Sequence, residues 1–88
     1  MTSPLDPHAV AIGQAARGAI AQAGLTLAET AEETGIALNT LSRRVNGAIP
    51  FTWPEIVQIA AVTGVTASEL AANAVRIADR RAAEKVPA

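Results

Sequence analysis

The amino-acid sequence predicts an all-α protein, a compact bundle of five helices, and three observations carry that expectation. Half of the 88 residues are apolar, but alanine dominates them and Phe51 and Trp53 are the only aromatics, so the core must be closely packed small side chains. Such a composition favours helix. Helix-start and helix-stop signals recur along the chain at helical spacing, and no sustained period-2 alternation marks a strand. The length suits a single domain near the lower limit of what buries its own core.

The elements follow in order. Asp6 before Pro7 reads as an N-cap with proline at the first helical position, and Ile12, Ala16, Ala19, Ile20 and Ala23 carry the first helix to Gly24. Thr26 caps a second helix, with Leu27, Ala31 and Thr34 inward and Glu29, Glu32 and Glu33 solvated, ending at Gly35. A third short helix, about Leu38 to Val45, stops at Asn46-Gly47, a dipeptide with easy access to positive φ. Thr52-Trp53-Pro54-Glu55 is a capping box that opens a fourth helix running to Gly64, with Trp53 expected in the core or as its anchor. Thr66-Ala67-Ser68-Glu69 repeats the device and opens a fifth, through Leu70, Ala74, Ile77 and Arg81, until Pro87 forbids more. No repeat and no Gly, Ser or Pro linker divides the chain.

The third helix holds the candidate site. On a wheel of about 100° per residue centred on Leu41, Val45, Leu38 and Ala37 fall within roughly 60° and form the expected buried face. Asn39, Arg43 and Asn46 lie roughly opposite, with Ser42 and Arg44 on the flanks. Amide, guanidinium and hydroxyl groups on one exposed face suit base edges in the major groove, where Asn pairs with adenine and Arg with guanine. The plainer alternative is a solvated helix face. Two short helices joined by a tight turn at Gly35 have the size and spacing of a helix-turn-helix.

The stretch "LTLAETAEETGIALNTLSRRVNG" with the later "AVTGVTASEL" resembles the Cro and phage-repressor (XRE) helix-turn-helix family over residues 12 to about 71. The matching positions include Gly24-Leu25-Thr26, Glu29, Ala31-Glu32, Gly35-Ile36, Thr40-Leu41-Ser42-Arg43, Gly47, Gly64-Val65 and Glu69-Leu70. The resemblance implies a lambda-repressor-like five-helix fold with the third helix as recognition helix, and the amino ends of the second and fourth helices against phosphates. It divides the chain into a DNA-binding domain over 1–72 and a helical extension of that domain over 73–88. Asn39, Arg43, Ser42 and Leu38 become candidate base readers, and Thr26, Arg44, Asn46 and Thr52 candidate phosphate ligands. Arg44 could alternatively meet the carboxylates of the second helix, and Leu38 could pack in the core.

Two departures from the family pattern bear on this. Leu27 stands where relatives often carry Gln, and Ala37 and Leu38 where they carry polar residues, which thins direct readout. Ile20 and Val45 replace an Arg–Glu ion pair together, a joint change that can be neutral or stabilising where a single one would strand a charge.

The function expected is sequence-specific binding of double-stranded DNA by a small phage-type, Cro-like repressor. The alternative is an antitoxin-like module that binds a protein partner, which a net charge of -1 keeps open. An enzyme is not expected, because without Cys or Tyr and with His8 alone no nucleophile–base set or metal site assembles. No cofactor is implied. The absent cysteine, signal peptide and membrane span point to a soluble, cytoplasmic protein. One recognition helix reaches few base pairs, so a homodimer on DNA is expected, with Leu70, Ala74 and Ile77 of the last helix as its surface or, alternatively, packed on the first helix. Arg76, Arg80, Arg81 and Lys85 read more readily as a solvated face than as DNA contacts.

Overall fold

The computed structural model describes residues 6–84. Five helices follow one another as α1 (Pro7–Gln22), α2 (Leu27–Thr34), α3 (Leu38–Val45), α4 (Trp53–Thr63) and α5 (Ala67–Glu84), with no strand among the described residues. Pro87, expected to end the last helix, lies outside them.

Local chemistry sets the boundaries. The Asp6 carboxylate accepts from the His8 N–H at 2.8 Å, and Pro7 opens α1 at a position where its missing donor is not needed. Thr26 with Glu29, and Thr52 with Glu55, close reciprocal capping boxes on α2 and α4. Thr66 and Glu69 do the same before α5, at 3.0 and 3.3 Å. Gly35 ends α2 at φ +78° and returns its N–H to Ala31 O at 2.9 Å, a left-handed cap that lets α3 start three residues later.

α1 is the central element, packed on α3, α4 and most extensively on α5. Leu41, Ile59 and Leu70 are fully buried, surrounded by Ala15, Ala16, Ile20, Ala31, Val45, Phe51 and Ala60. Small residues let the helices approach closely. A Cβ on Gly13 would stand 2.6 Å from the Val45 carbonyl oxygen and 2.8 Å from that of Arg44, so α1 and α3 touch main chain there. Gly47, at φ +80°, brings the turn after α3 equally close to α1, where its Cβ would lie 2.9 Å from Val10 Cα. Ile20 and Val45 share the buried cluster, as their joint loss of charge requires.

Several expected burials are revised. Leu38 is 46 % exposed and Ala37 is exposed, so the inner face of α3 is Leu41 and Val45 alone. The first turn of α3 projects beyond the bundle, with Ile36 packed against the core just before it. Trp53 is 62 % exposed, neither core nor anchor, because Phe51 two residues earlier fills the interior place. On α2 the inward pair is Thr30 and Ala31, with Leu27 and Thr34 only half-buried, and on α1 Ala9, Ala11 and Ala15 are buried while Ala23 is exposed. Thr30 is tolerated inside because its hydroxyl donates to Thr26 O at 2.9 Å. Leu70 is buried and Ala74 and Ile77 pack against the core, so the apolar line of α5 seals the bundle along α1 and is not available as a dimer surface. Val75 is the large apolar side chain that α5 leaves outside, at 59 % exposure.

Candidate nucleic-acid interface

α3 is held by two side chains and the glycine contact at its carboxyl end, which leaves the rest of its surface outward. Leu38, Asn39, Arg43 and Asn46 are exposed and Ser42 is half-buried. Asn39 and Arg43 stand one turn apart on the same face, and neither side chain has a hydrogen-bond or ion-pair partner among the described residues. The amino end of α3 differs from those of α2 and α4. Its cap residue is Ala37, which supplies no side-chain acceptor, and no carboxylate lies in its first turn. The N–H groups of Leu38, Asn39 and Thr40 are left without an acceptor among the described residues, so this end carries uncompensated positive potential. Sequence reasoning missed that feature, although Ala37 in the cap position is its signal.

Asn46 is engaged from an unexpected direction, since its Oδ1 accepts from Arg17 Nη2 at 2.5 Å. α1 thereby brings a second exposed cation to the carboxyl end of α3. The Asn46 amide donors remain available. Nothing in the α1 pattern singles out Arg17 beyond its being the one base before Arg43.

Arg44 turns inward. Its Nη1 donates to Pro50 O at 2.8 Å, and its Nε lies 2.8 Å from Glu55 Oε1, with the N–H not directed along that line. The carboxylate it meets therefore belongs to the α4 capping box and not to α2. Only 16 % of the Arg44 side chain is exposed, so the group ties α3 to the first turn of α4. Arg44→Gln is expected to cost about 1.5–3 kcal/mol of stability, the range for a hydrogen bond to a charged group, and to leave the salt dependence of DNA binding unchanged. A shallower salt slope with an unchanged melting temperature would assign Arg44 to a phosphate instead.

Thr26 and Thr52 sit at the amino ends of α2 and α4, where each hydroxyl oxygen accepts from the N–H of the capping glutamate, at 3.0 and 3.4 Å. The hydroxyl protons stay free to donate. The two ends differ electrostatically: Arg44 offsets the Glu55 charge, while no cation pairs with Glu29 among the described residues. The Thr26 amide first, and then its side chain, hold the Glu29 carboxyl below its ordinary value of 4.5. A depressed folded value means that this cap is complete above about pH 4.5 and is lost as pH falls through the lower, folded-state value. NMR titration of the Glu29 side-chain carboxyl should place its midpoint below 4.5. A midpoint at or above that value would mean the box is open in solution.

One outer face thus gathers Leu38, Asn39, Ser42, Arg43 and Asn46, with Thr26 and Thr52 on neighbouring helix ends and Arg44 withdrawn into the scaffold. Among the described residues no group of His, Cys, Asp or Glu could hold a metal ion, and no helix is long and apolar enough to cross a membrane.

A family model described as a helix-turn-helix domain matches residues 11–72. The crystal structure of the clp gene regulator ClgR from Corynebacterium glutamicum is similar with a TM-score of 0.86 at 23 % identity, over 93 % of this chain and 87 % of that one. At that identity the likeness speaks to the fold. No curated protein sequence matches the chain.

Proposed function

The chain belongs to the helix-turn-helix domain family of DNA-binding transcription regulators, and from that premise we propose that it reads duplex DNA sequence-specifically as a small phage-type, Cro-like repressor. The observation that carries the reading is the pair Asn39 and Arg43, exposed, partner-free and one turn apart on a helix whose other face is locked into the core. With α3 in the major groove, Asn39 pairs with adenine, Arg43 with guanine, Ser42 with a base edge or phosphate, and Leu38 meets a thymine methyl. Asn46, Thr26 and Thr52 take backbone phosphates, and Arg17 joins Asn46 there. The amino end of α4 is the better of the two phosphate seats, because Arg44 offsets the carboxylate beside it. Residues 1–72 form the reading unit and 73–88 extend it, acting in the cytoplasm without a cofactor.

Few exposed cations flank the reading face, so one copy binds weakly. Two copies on a roughly palindromic site, with half-sites about 34 Å apart, supply the affinity. Because the inner line of α5 is already packed on α1, pairing would use an outer surface such as that around Val75. A second reading, an antitoxin-like module bound to a protein partner, is favoured by Trp53 and Val57, exposed one turn apart on α4. Co-purification with a defined stoichiometric partner separates it from the first.

The test is a mobility shift against the protein's own upstream DNA. Asn39→Ala and Arg43→Ala should each weaken binding to the specific site by about 1–3 kcal/mol and relax preference at one base position. Loss confined to nonspecific DNA, with the site preference intact, would remove both residues from base reading.

A further inference from the structure

We propose that the groove between α1 and α5 is a binding site for a small molecule carrying a carboxylate or a phosphate, separate from the DNA-reading face. The groove has a volume of about 380 Å³, at the small end of ligand sites. α1 lines it with Gln14, Gly18 and Gln22, and α5 with Asn73, Arg76 and Arg80. No residue of α2 or α3 takes part, so a ligand there leaves the recognition helix free.

Two features point to an anion. Arg76 and Arg80 stand one turn apart, an arrangement in which like charges repel, and among the described residues neither has a carboxylate within ion-pair distance. Arg76 Nη2 donates to Asn73 Oδ1, which anchors one guanidinium at the groove. The carboxylate in the lining, Glu69, is turned to the helix cap, where its Oε1 accepts from the Thr66 N–H and hydroxyl. Two guanidinium forks without counter-ions are matched by the paired oxygens of a carboxylate or phosphate, while the Gln14 and Gln22 amides suit the polar remainder of the molecule.

Gly18 is the independent observation. A glycine inside a helix disfavours it, and two circumstances usually require one, a left-handed backbone or a close neighbour. Gly18 has neither: its φ is not positive and a Cβ there would meet nothing within 4 Å. Gly13, one and a half turns earlier, shows the contrast, since main chain of α3 excludes a side chain from it. What the missing side chain at 18 does is keep the groove open over the α1 backbone.

The test is NMR titration of the full chain, in separate arms, with inorganic phosphate and with succinate, ionic strength being held constant with sodium chloride. Saturable shifts confined to the amides of α1 and α5 are expected in at least one arm, and which arm responds identifies the anion class. Arg76→Gln/Arg80→Gln should weaken binding by about tenfold or more. Gly18→Leu should abolish it with the helical circular dichroism retained, and Arg43→Gln should leave it unchanged. If the leucine variant fails to fold, the arginine pair decides alone. Non-saturating shifts in both arms, shifts centred on α3, or an unchanged affinity in the double arginine variant would overturn the proposal. So would a double variant that instead weakens duplex DNA binding and flattens its salt dependence, which would make the pair DNA-phosphate contacts.

Discussion

Val45→Asp is expected to lower the stability of the fold by roughly 3–5 kcal/mol, a large share of the ~5–15 kcal/mol that holds a domain together. Val45 is 2 % exposed and lies in the cluster that contains Ile20 and Leu41, with no basic residue among its members. A carboxylate placed there is unpaired and must either protonate or open the packing. Its folded-state pKa is therefore raised above the ordinary value of about 3.9, the folded state binds more protons, and stability falls as pH rises past that value. Denaturant melts at pH 4 and pH 7 should show the larger deficit at pH 7. Because α3 is seated by Leu41 and Val45, specific DNA binding should fail with the fold. Ile20→Arg/Val45→Glu, which restores charges of opposite sign at both positions, should be more stable than the sum of its two single variants. A melting temperature at pH 7 equal to that of the parent would remove Val45 from the core and break the assigned pairing with Ile20.

The second large effect sets two chemically identical substitutions on one helix against each other. Gly13→Ala is expected to destabilise by roughly 3 kcal/mol, at the upper end of overpacking costs, because the atoms its Cβ meets are main-chain carbonyls that cannot rotate away. Helix propensity works in the opposite direction, by about 1 kcal/mol, and loses. Gly18→Ala meets nothing, so propensity acts alone and the variant should gain up to about 1 kcal/mol. Thermal melts of both variants decide it: a gain at both sites would mean that α1 and α3 are farther apart than the Gly13 contact requires, and a loss at both that the space beside Gly18 is filled. Gly13→Ala should also weaken DNA binding, since separating α1 from α3 tilts the face that carries Asn39 and Arg43.

The five helices were legible because their punctuation is local. Thr26 with Glu29, Thr52 with Glu55, Pro7 at a helix start and Gly35 at a helix end act within four residues of themselves, and the chain carries each signal intact. The exposure of Asn39 and Arg43 was legible for a related reason: on an eight-residue helix with two buried side chains, the residues opposite Leu41 have nowhere else to go. Arg44 was not legible. Its wheel position lies between inside and outside, and its destination depended on where the first turn of α4 comes to rest, which brings the Glu55 carboxylate and the Pro50 carbonyl to it.

Trp53, and the core alternative for Leu38, failed for a reason opposite to that of Arg44. Hydrophobicity favoured the interior for both, but each sits in the first turn of its helix and is exposed, while the nearby Phe51 is buried and Ile36 packs against the core; the exposure of Leu38 leaves its reading as a base contact standing. The apolar line of α5 was visible in the sequence, yet periodicity says only that a face is apolar and not what covers it; that α1 covers it is a long-range fact. By itself, then, the sequence determined the fold class, the caps, the turn between α2 and α3 and the family, all of which rest on interactions within a few residues or on spacing. Tertiary structure alone decided that Arg44 clasps α4, that Arg17 reaches Asn46, that α5 seals α1 and that Gly13 must stay a glycine, because each depends on two segments well separated in the chain arriving at the same point.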